Sequence, residues 1–349
     1  MDELRLRTRL VWGPDALTAL GELKGLRVLV VADHFLAQNG LLDRVTAALS
    51  GAETAIFDAV KGEPTLEMVA QGVTALRTLD AQAVVAFGGG SAMDCAKGLV
   101  WQGEHGVPLW CIPTTAGTGS EVTAFSVLTD AAHGVKYPLV DDALVPDVAI
   151  LDGQFLAGVP QSVTADTGMD VLTHAAEAYV ASKANPFTDA LAQRAFATAY
   201  TKLPAAFSGD MTAKEDMLFA SALAGIAFNA AGLGACHAMA HALGAKIHAP
   251  HGRVNAILLP QVIEANAQHP PTAKRYAQLA KLCGLSPNYR SLSGALRRLG
   301  RRLGIPERLP GSVDLAQVAA DAMKDPCMVV NVKPFTAREV EAILKGVVG

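Results

Sequence analysis

The stretch Ala81–Gly90, "AQAVVAFGGG", joins an apolar run to three glycines, and the helical pattern "SAMDCAKG" follows it up to Gly98. We expect a buried strand that ends in a glycine turn and leads into a helix. Similar apolar runs are "LRVLVVAD" (26–33), "PLWCIPTT" (108–115) and "VPDVAILD" (145–152), with helical patterns such as "TLEMVAQGVTALRTL" (65–79) between them. Apolar strands that alternate with helices indicate an α/β domain with a parallel sheet covered on both faces.

Beyond Asp152 the pattern changes from strands to helices. Segments with helical periodicity follow one another there, among them "MDVLTHAAEAYVA", "FTDALAQRAFATAYTKL" and "TAREVEAILKGVV". The change falls at the loop-like "DGQFLAGVPQS", so we expect an α/β domain over residues 1–155 and an all-α domain over residues 156–349. A chain of 349 residues exceeds the size at which one core usually divides. We expect small molecules to bind in a cleft between the two domains.

The composition excludes several classes of protein. Hydrophobic residues make up 51% of the chain and charged residues 18%, which is typical of a large folded core rather than of disorder. A net charge of −4 without a basic run argues against nucleic-acid binding. Five scattered cysteines fit free thiols in the cytoplasm, and the N-terminus lacks an apolar signal region. The uncharged stretch Met217–Cys236 is interpreted as a buried helix rather than a membrane span.

Four of the nine histidines lie within Gly234–Gly252, "GACHAMAHALGAKIHAPHG". His237 and His241 are four residues apart, so they face the same way on a helix. Pro250 ends this pattern, and His251 begins a new segment. Each histidine alone is better explained as an ordinary core or surface residue. The cluster as a set favours a shared ion.

A carboxylate and another histidine with the same spacing lie upstream, in "TADTGMDVLTHAAEAYV". Asp170 and His174 are four residues apart on a predicted helix, a spacing that suits a divalent transition metal. Two such helices facing each other, with one histidine from a loop, would complete a ligand set of nitrogen and oxygen atoms. Cys236 points away from His237 on the same helix, so we do not expect it to join the site.

Two polar loops indicate a nucleotide site. The turn Gly88–Ser91 places backbone N–H groups between a strand and a helix, where they can meet a phosphate. It matches neither GxGxxG nor a P-loop, so alone it is weak evidence. A second loop, "PTTAGTGSEVT" (113–123), follows the next strand. Loops at the carboxyl ends of neighbouring parallel strands indicate a Rossmann-like, dinucleotide-binding N-terminal domain.

An acidic residue ends one of the predicted strands. Asp33 closes "VLVVAD", where a carboxylate suits a ribose 2′-hydroxyl and repels a 2′-phosphate. The position is explained equally well by a turn in which the side chain bonds its own backbone. Both interpretations stay open on sequence alone.

Taken together, these segments resemble the iron-containing (group III) alcohol dehydrogenase family over nearly the whole chain. The resemblance rests on "AFGGGSAMD", "IPTTAGTGSEVT", "TGMDVLTHAAEAYV" and "GACHAMAHALGAKIHAPHGRVNAILLP", which occur in that family's order. Within the family, "LRTRLVWG", "FLAQNGLLD", "GVKYPLVDDALVPDVAILD" and "NPFTDALAQ" are similar to the short 1-propanol dehydrogenases of propanediol-utilising bacteria. The resemblance implies an NAD(H)-linked enzyme that interconverts short primary alcohols and aldehydes, such as 1-propanol and propanal or ethanol and ethanal.

The resemblance also implies roles for particular residues. Asp170, His174, His237 and His251 would hold one Fe²⁺, and His241 would handle the proton as the catalytic residue. The residues that match dinucleotide contacts are Gly89, Gly90, Ser91, Asp94, Thr114, Thr115, Thr118, Thr123 and Lys136, with Asp33 favouring NAD(H). Those that match the substrate pocket are Phe125, Phe228 and Cys327. The same ligand set accepts Zn²⁺ as readily as Fe²⁺.

Two positions depart from the family's pattern. The usual Asn-Pro-Arg near the C-terminus is "NVK" here (331–333), and Glu63 stands where Asn or Asp more often precedes the proline. The resemblance therefore assigns neither the edge of the substrate pocket nor this cofactor contact.

Other functions remain open on the sequence. A related enzyme of the dehydroquinate-synthase or glycerol-dehydrogenase type would also join NAD to a divalent metal, although no pocket rich in lysine and arginine for an acidic polyol phosphate is evident. A non-catalytic metal- or nucleotide-binding subunit predicts a damaged ligand or loop, and none is found. The resemblance implies a homodimer with a small-molecule substrate and no membrane partner, in the cytoplasm or inside a bacterial microcompartment.

Overall fold

The computed structural model describes residues 4–103, 106–132 and 135–349. The chain forms two compact units, residues 1–158 and residues 159–349. The first contains strands and helices in alternation, and the second contains helices.

The first unit is built on a six-stranded sheet with the strand order β1-β8-β5-β4-β2-β3, in which every pair is parallel. Strands β6 and β7 form a separate antiparallel hairpin. The strands are β1 (Arg9–Trp12), β2 (Arg27–Asp33), β3 (Glu53–Val60), β4 (Ala83–Gly88), β5 (Leu109–Pro113), β6 (Phe125–Asp130), β7 (Val135–Val140) and β8 (Val148–Leu151). The helices are α1 (His34–Gln38), α2 (Leu41–Ala48), α3 (Leu66–Leu79) and α4 (Gly90–Gly103).

The four strands predicted from apolar runs are present as β2, β4, β5 and β8. Strands β1 and β3 and the hairpin were not predicted. Both β1 and β3 lie at edges of the sheet and are only partly buried, so their sequences lack a continuous apolar run. The α/β fold class of this unit is confirmed by the sheet itself.

Strand β4 lies inside the sheet and is buried on both faces. Val84 and Ala86 pack on one face, in a core that includes side chains of α3 and α4. Val85 and Phe87 pack on the other, in a core that includes side chains of α2. Successive side chains of a strand point to opposite faces of the sheet. Because helices cover both faces here, every side chain of β4 is apolar.

The second unit is all-helical, as predicted. Its helices are α5 (Gln161–Val180), α6 (Pro186–Phe207), α7 (Met211–Ala231), α8 (Ala235–Ile247), α9 (His251–Asn266), α10 (Pro270–Leu282), α11 (Tyr289–Arg302), α12 (Leu315–Ala322), α13 (Pro326–Val329) and α14 (Ala337–Val347). Much of the long helix α5 is buried.

The uncharged stretch Met217–Cys236 is not one helix. Helix α7 ends at Ala231, and α8 starts at Ala235 after a 103° bend. Gly232 makes the bend with φ +84°, and a Cβ there would come within 2.6 Å of Val330. Both conditions favour glycine. Among the described residues no single helix has the length and apolar composition to cross a membrane, although α7 and α8 meet that test as a bent pair.

Lys97 is a buried cation in the first unit. Its side chain, on α4, is 0% exposed. Its Nζ donates hydrogen bonds of 2.8 Å to the carbonyl oxygens of Thr123 and Phe125. Burial lowers the pKa of Lys97, while neighbouring Asp94 acts in the opposite direction. The ammonium therefore ties α4 to the segment that leads into β6.

Replacing this lysine tests that contribution. In Lys97→Met the two carbonyl oxygens and Asp94 lose a buried cationic partner, so we expect the free energy of unfolding to fall by about 3 kcal/mol. Urea titration followed by circular dichroism measures the change. Lys24→Met, at an exposed position of the same unit, serves as the control and should change stability by less than about 0.5 kcal/mol. Equal losses in the two variants would contradict this role for Lys97.

Candidate functional site

A stripe of ionisable residues lies on α5. Asp170, His174 and Glu177 follow one another at helical spacing, and all three are buried. Buried ionisable groups need partners, because burial without a hydrogen bond or a charge partner is costly. The partners of these three come mainly from α8 and α9.

Helices α5, α8 and α9 bring the predicted metal ligands together around Asp170. Ligand atoms of Asp170, His174 and His237 all lie within 4.8 Å of one another. Nε2 of His251 lies 3.8 Å from Asp170 Oδ1, and Nε2 of His237 lies 3.7 Å from the same oxygen. Nε2 of His174 lies 3.9 Å from Asp170 Oδ2. The three imidazoles surround one carboxylate.

The expectation that one histidine comes from a loop is wrong. His251 is the first residue of α9, and Pro250 precedes it as the N-cap with φ −54° and ψ 130°. Proline favours an extended ψ in the residue before it and holds its own φ near this value, so it stops one helix and permits the next to begin at once.

Glu177 holds one of the candidate ligands in place. Its Oε2 lies 2.7 Å from Nδ1 of His237 and accepts the Gly234 N–H at 3.0 Å. Its Oε1 accepts the Cys236 N–H at 2.6 Å. The carboxylate thus caps the N-terminus of α8, whose own N-cap residue is a glycine without a side chain to do so.

Asn255 lies among the same groups. Its Nδ2 donates to Asp170 Oδ1 at 2.8 Å and lies 3.0 Å from His251 Nε2 and 3.2 Å from His237 Nε2. One carboxylate oxygen and two imidazole nitrogens therefore converge on a single point, where the amide nitrogen lies. The amide orientation is the one that this hydrogen-bond network favours.

The charges of the site follow from these contacts. Burial opposes ionisation of Asp170, but His174, His251, His237 and the Asn255 amide outweigh it and lower the pKa of Asp170. Burial lowers the pKa of His237 well below its ordinary value. Burial raises the pKa of Glu177 to about 7 against the effect of its backbone N–H partners. One carboxylate surrounded by imidazole nitrogens is a suitable ligand set for a divalent cation.

A second group lies one turn further along α8. Nδ1 of His241 lies 2.8 Å from Asp325 Oδ2, and Asp325 Oδ1 accepts the Cys327 N–H at 2.8 Å. The ring of His241 stacks on that of His251, with 5.3 Å between centroids. On the other side of the cluster, Phe228 lies 4.5 Å from the His174 ring. Residues predicted for the proton, the pocket and the metal therefore adjoin one another in the second unit.

The two polar loops of the first unit also meet. The Thr114 N–H donates to the Gly88 carbonyl oxygen at 3.0 Å. A Cβ on Gly89 would lie 3.2 Å from Thr115 Oγ1, and one on Gly90 would lie 2.8 Å from Thr118 Cγ2. The glycines therefore permit the loops to pack closely. Helix α4 begins at Gly90, so its free N–H groups, with Ser91 in the first turn, are at this junction.

Three predicted cofactor residues have partners within the protein. Asp94 accepts from Ser120 Oγ at 2.8 Å and from the Val127 N–H at 3.0 Å. Thr123 is buried. Asp33 is the N-cap of α1, and its side chain accepts the Phe35 N–H at 2.9 Å. This hydrogen bond to the nearby backbone is the turn interaction that the sequence left open beside the ribose contact. A Cβ on Gly88 would lie 3.5 Å from that of Asp33, so Asp33 adjoins the glycine turn.

The remaining predicted residues divide between the units. Phe125 begins β6 in the first unit, whereas Phe228 and Cys327 belong to the second. Lys136 lies on β7, and its side chain is outside the described part of the structure. Glu63 Oε2 lies 3.4 Å from Thr129 Oγ1.

Four side chains that contact the candidate site or its helices were given no role from the sequence: Glu177, Asn255, Asp325 and Asn331. A signal existed for two of them, because Glu177 continues the Asp170–His174 stripe and Asn255 is four residues after His251. For the others the contact is purely tertiary. Asn331 Oδ1 accepts the Ala235 N–H at 3.1 Å, so the asparagine of "NVK" also caps α8. Lys333 in the same motif pairs with Glu339.

The fold and the site define an oxidoreductase of known type: the chain belongs to the iron-containing alcohol dehydrogenase family. Profiles of that family match residues 7–153, and profiles of its C-terminal part match residues 164–348. The chain is 45% identical to the 1-propanol dehydrogenase PduQ of Citrobacter freundii, over 93% of this chain and 89% of that protein. The family implies NAD(H), iron and small alcohols or aldehydes.

Solved structures agree in fold. The iron-containing alcohol dehydrogenase of Thermococcus thioreducens is 32% identical with a TM-score of 0.91, covering 98% of both chains. The sulfoacetaldehyde reductase of Bifidobacterium kashiwanohense, in complex with NAD⁺, is 28% identical with a TM-score of 0.89, covering 99% of this chain and 98% of that one.

The close approach of α9 to α5 can be tested at Gly252. A Cβ there would overlap the carbonyl oxygen of Asp166 and lie 3.2 Å from Asp170 Cβ. The Asp166 backbone cannot move aside as a flexible side chain can. Gly252→Ala should therefore lower the free energy of unfolding by about 2 kcal/mol. Denaturant titration measures it.

The matched control is Gly346→Ala on α14, where a Cβ meets nothing within 4 Å. Alanine favours helix over glycine, so this variant should gain up to about 1 kcal/mol. A Gly252→Ala variant as stable as the control would show that the two helices are not held at this distance.

Proposed function

We propose that this protein is a metal-dependent, NAD(H)-linked alcohol dehydrogenase that reduces short-chain aldehydes and oxidises the corresponding primary alcohols. Propanal with 1-propanol, or ethanal with ethanol, is the proposed substrate pair. The observation that carries the proposal is the buried convergence of Asp170, His174 and His237 within 4.8 Å. The similarity to a 1-propanol dehydrogenase supports the substrate class.

The residues present fit a divalent metal. Asp170, His174, His237 and His251 would hold it, through one carboxylate and three imidazoles. Nε2 of His174 faces Asp170 Oδ2 at 3.9 Å, and ligand atoms of Asp170, His174 and His237 lie within 4.8 Å of one another, close enough to share one ion. When bound, such an ion supplies Lewis-acid polarisation of the substrate oxygen. Fe²⁺ is proposed from the family, and the donor set also suits Zn²⁺.

The two loops of the first unit are proposed to bind the dinucleotide. The N–H groups at the start of α4 suit its phosphates, with Gly89, Gly90, Ser91 and the threonines Thr114, Thr115, Thr118 and Thr123 as contacts. Asp94 acts through its partners, because it accepts from Ser120 of the second loop and from the Val127 N–H of β6. Lys136 remains a proposed contact. Asp33, beside the glycine turn, is proposed to receive the ribose 2′-hydroxyl.

The remaining residues are proposed to manage the proton and the alkyl chain. His241, half-buried and bonded to Asp325, is the proposed proton-handling residue, a task for which imidazole is suited. Phe228 and Cys327 of the second unit are the proposed pocket lining, Phe125 stays a predicted pocket residue, and an apolar lining favours short unbranched chains over polyols. A homodimer in the cytoplasm or in a microcompartment stays a prediction.

An aldehyde panel tests this proposal directly. With NADH and protein reconstituted anaerobically with Fe²⁺ or Zn²⁺, propanal and ethanal should be reduced much faster than glyceraldehyde. Asp170→Ala removes the ligand shared by all three histidine contacts, so bound metal and turnover should fall together by about 100-fold or more. Elemental analysis and NADH absorbance measure the two quantities.

Asp216→Ala, which removes a partly exposed carboxylate paired with Lys202, is the control and should retain both. Full turnover by metal-free Asp170→Ala would contradict the proposed metal site. Reduction of glyceraldehyde in preference to propanal would contradict the substrate class.

The cofactor preference can be tested at Asp33 without removing its helix cap. Asn caps a helix as well as Asp does but carries no charge, so Asp33→Asn should keep α1 intact. The ratio of kcat/KM with NADPH to that with NADH should rise about tenfold, because repulsion of the 2′-phosphate is lost. Asp43→Asn, at an exposed position in the first turn of α2, is the matched control. An unchanged ratio in Asp33→Asn would remove Asp33 from the ribose site.

A further inference from the structure

Two histidines one turn apart on α8 are each bonded by a carboxylate from another part of the second unit. Nδ1 of His237 lies 2.7 Å from Glu177 Oε2, and Nδ1 of His241 lies 2.8 Å from Asp325 Oδ2. In both pairs the carboxylate meets the same ring nitrogen. In both rings Nε2 is therefore the nitrogen that is left to interact with a metal or a substrate.

The other partners of Glu177 decide which group carries the hydrogen. Gly234, Cys236 and His237 all offer it backbone N–H groups, which can only donate. A carboxylate surrounded by donors acts as an acceptor, so Nδ1 of His237 is the protonated nitrogen. Its Nε2 then presents a lone pair 3.7 Å from Asp170 Oδ1.

Asp325 is arranged in the same way. Its Oδ1 accepts the Cys327 N–H at 2.8 Å, and it is the N-cap residue of α13. These partners and the His241 ring hold the pKa of Asp325 below its usual range against the effect of burial. An ionised Asp325 accepts from Nδ1 of His241 and leaves the second ring nitrogen as an acceptor.

We propose that Glu177 and Asp325 are positioning residues that fix the two imidazoles of α8 in the same tautomer for two separate tasks. Glu177 prepares His237 to bind the metal. Asp325 prepares His241 to accept and release a proton, with no part in holding the metal. This inference rests on the proposed function, since it presupposes that His237 is a ligand and that His241 is not.

Isosteric amide variants separate the two tasks. In Glu177→Gln one carboxylate oxygen becomes an NH₂ group, so a single neutral oxygen is left for the backbone N–H groups of α8 and for Nδ1 of His237. His237 then loses the charged acceptor that holds its hydrogen on Nδ1, and the tautomer with hydrogen on Nε2, where a metal would bind, is no longer disfavoured. Loss of such an outer partner typically weakens metal binding by about 10–100-fold. Asp325→Asn makes the same change for His241 alone.

Cobalt titration is the test, because visible absorption of bound Co²⁺ reports both affinity and coordination geometry. Glu177→Gln should bind Co²⁺ at least about tenfold more weakly than the native protein and with an altered spectrum. Asp325→Asn should bind Co²⁺ within about twofold of the native protein, while its kcat for propanal falls by about 100-fold at unchanged KM. Glu264→Gln, which removes a carboxylate bonded to Arg297 and Ser293, is the matched control and should change neither quantity.

The outcomes distinguish this inference from the proposed function. If Glu177→Gln binds Co²⁺ as tightly as the native protein does, the role of Glu177 is overturned while the metal site stands, and an unchanged kcat in Asp325→Asn overturns the role of Asp325. If the native protein itself binds no Co²⁺, the proposed metal site is overturned. If Asp325→Asn loses Co²⁺ as Glu177→Gln does, the separation of tasks is overturned.

A measurement on the native protein covers the case in which Glu177→Gln does not fold. Nitrogen-15 NMR of histidine-labelled protein reports directly which ring nitrogen carries hydrogen. We expect Nδ1 to be protonated and Nε2 unprotonated in both His237 and His241 before metal is added. Hydrogen on Nε2 of His237 would overturn the inference.

Discussion

The second unit depends on the burial of two carboxylates on one helix. Asp170 and Glu177 lie inside the helical core, where an ionised group without partners would cost several kcal/mol. Helices α8 and α9 supply those partners through imidazoles, an amide and backbone N–H groups. The need to satisfy these carboxylates therefore determines how closely the three helices approach. Gly234 and Gly252 are required where the approach leaves no room for a side chain.

The arrangement also links stability to chemistry. Glu177 caps α8 and bonds the His237 ring, so the hydrogen bonds that start the helix also orient a candidate ligand. In the first unit, Lys97 plays a comparable part, because it ties α4 to the segment after the second polar loop. In each unit a buried ionisable residue, Glu177 or Lys97, positions neighbouring groups. Those neighbours are proposed to contact the ligands, and the buried residue itself is not.

Much of this could be predicted from the sequence because the decisive patterns are local. Strands β2, β4, β5 and β8 follow from apolar runs, and the spacing of Asp170 and His174 places them on one face of a helix. The bend at Gly232 was missed because an uncharged Ala/Gly-rich run has the same composition on both sides of it. Strands β1 and β3 were missed because partly buried edge strands lack a continuous apolar run. The contact between Asp325 and His241 joins residues far apart in sequence, and no periodicity reports it.

Diffraction at the iron absorption edge from crystals of the reconstituted protein tests the central claim most directly. The account predicts one anomalous peak bonded to Asp170, His174, His237 and His251, at about 2.0–2.2 Å from each nitrogen or oxygen, as is usual for such divalent ions. A peak elsewhere in the chain, or one that omits Asp170, would contradict it.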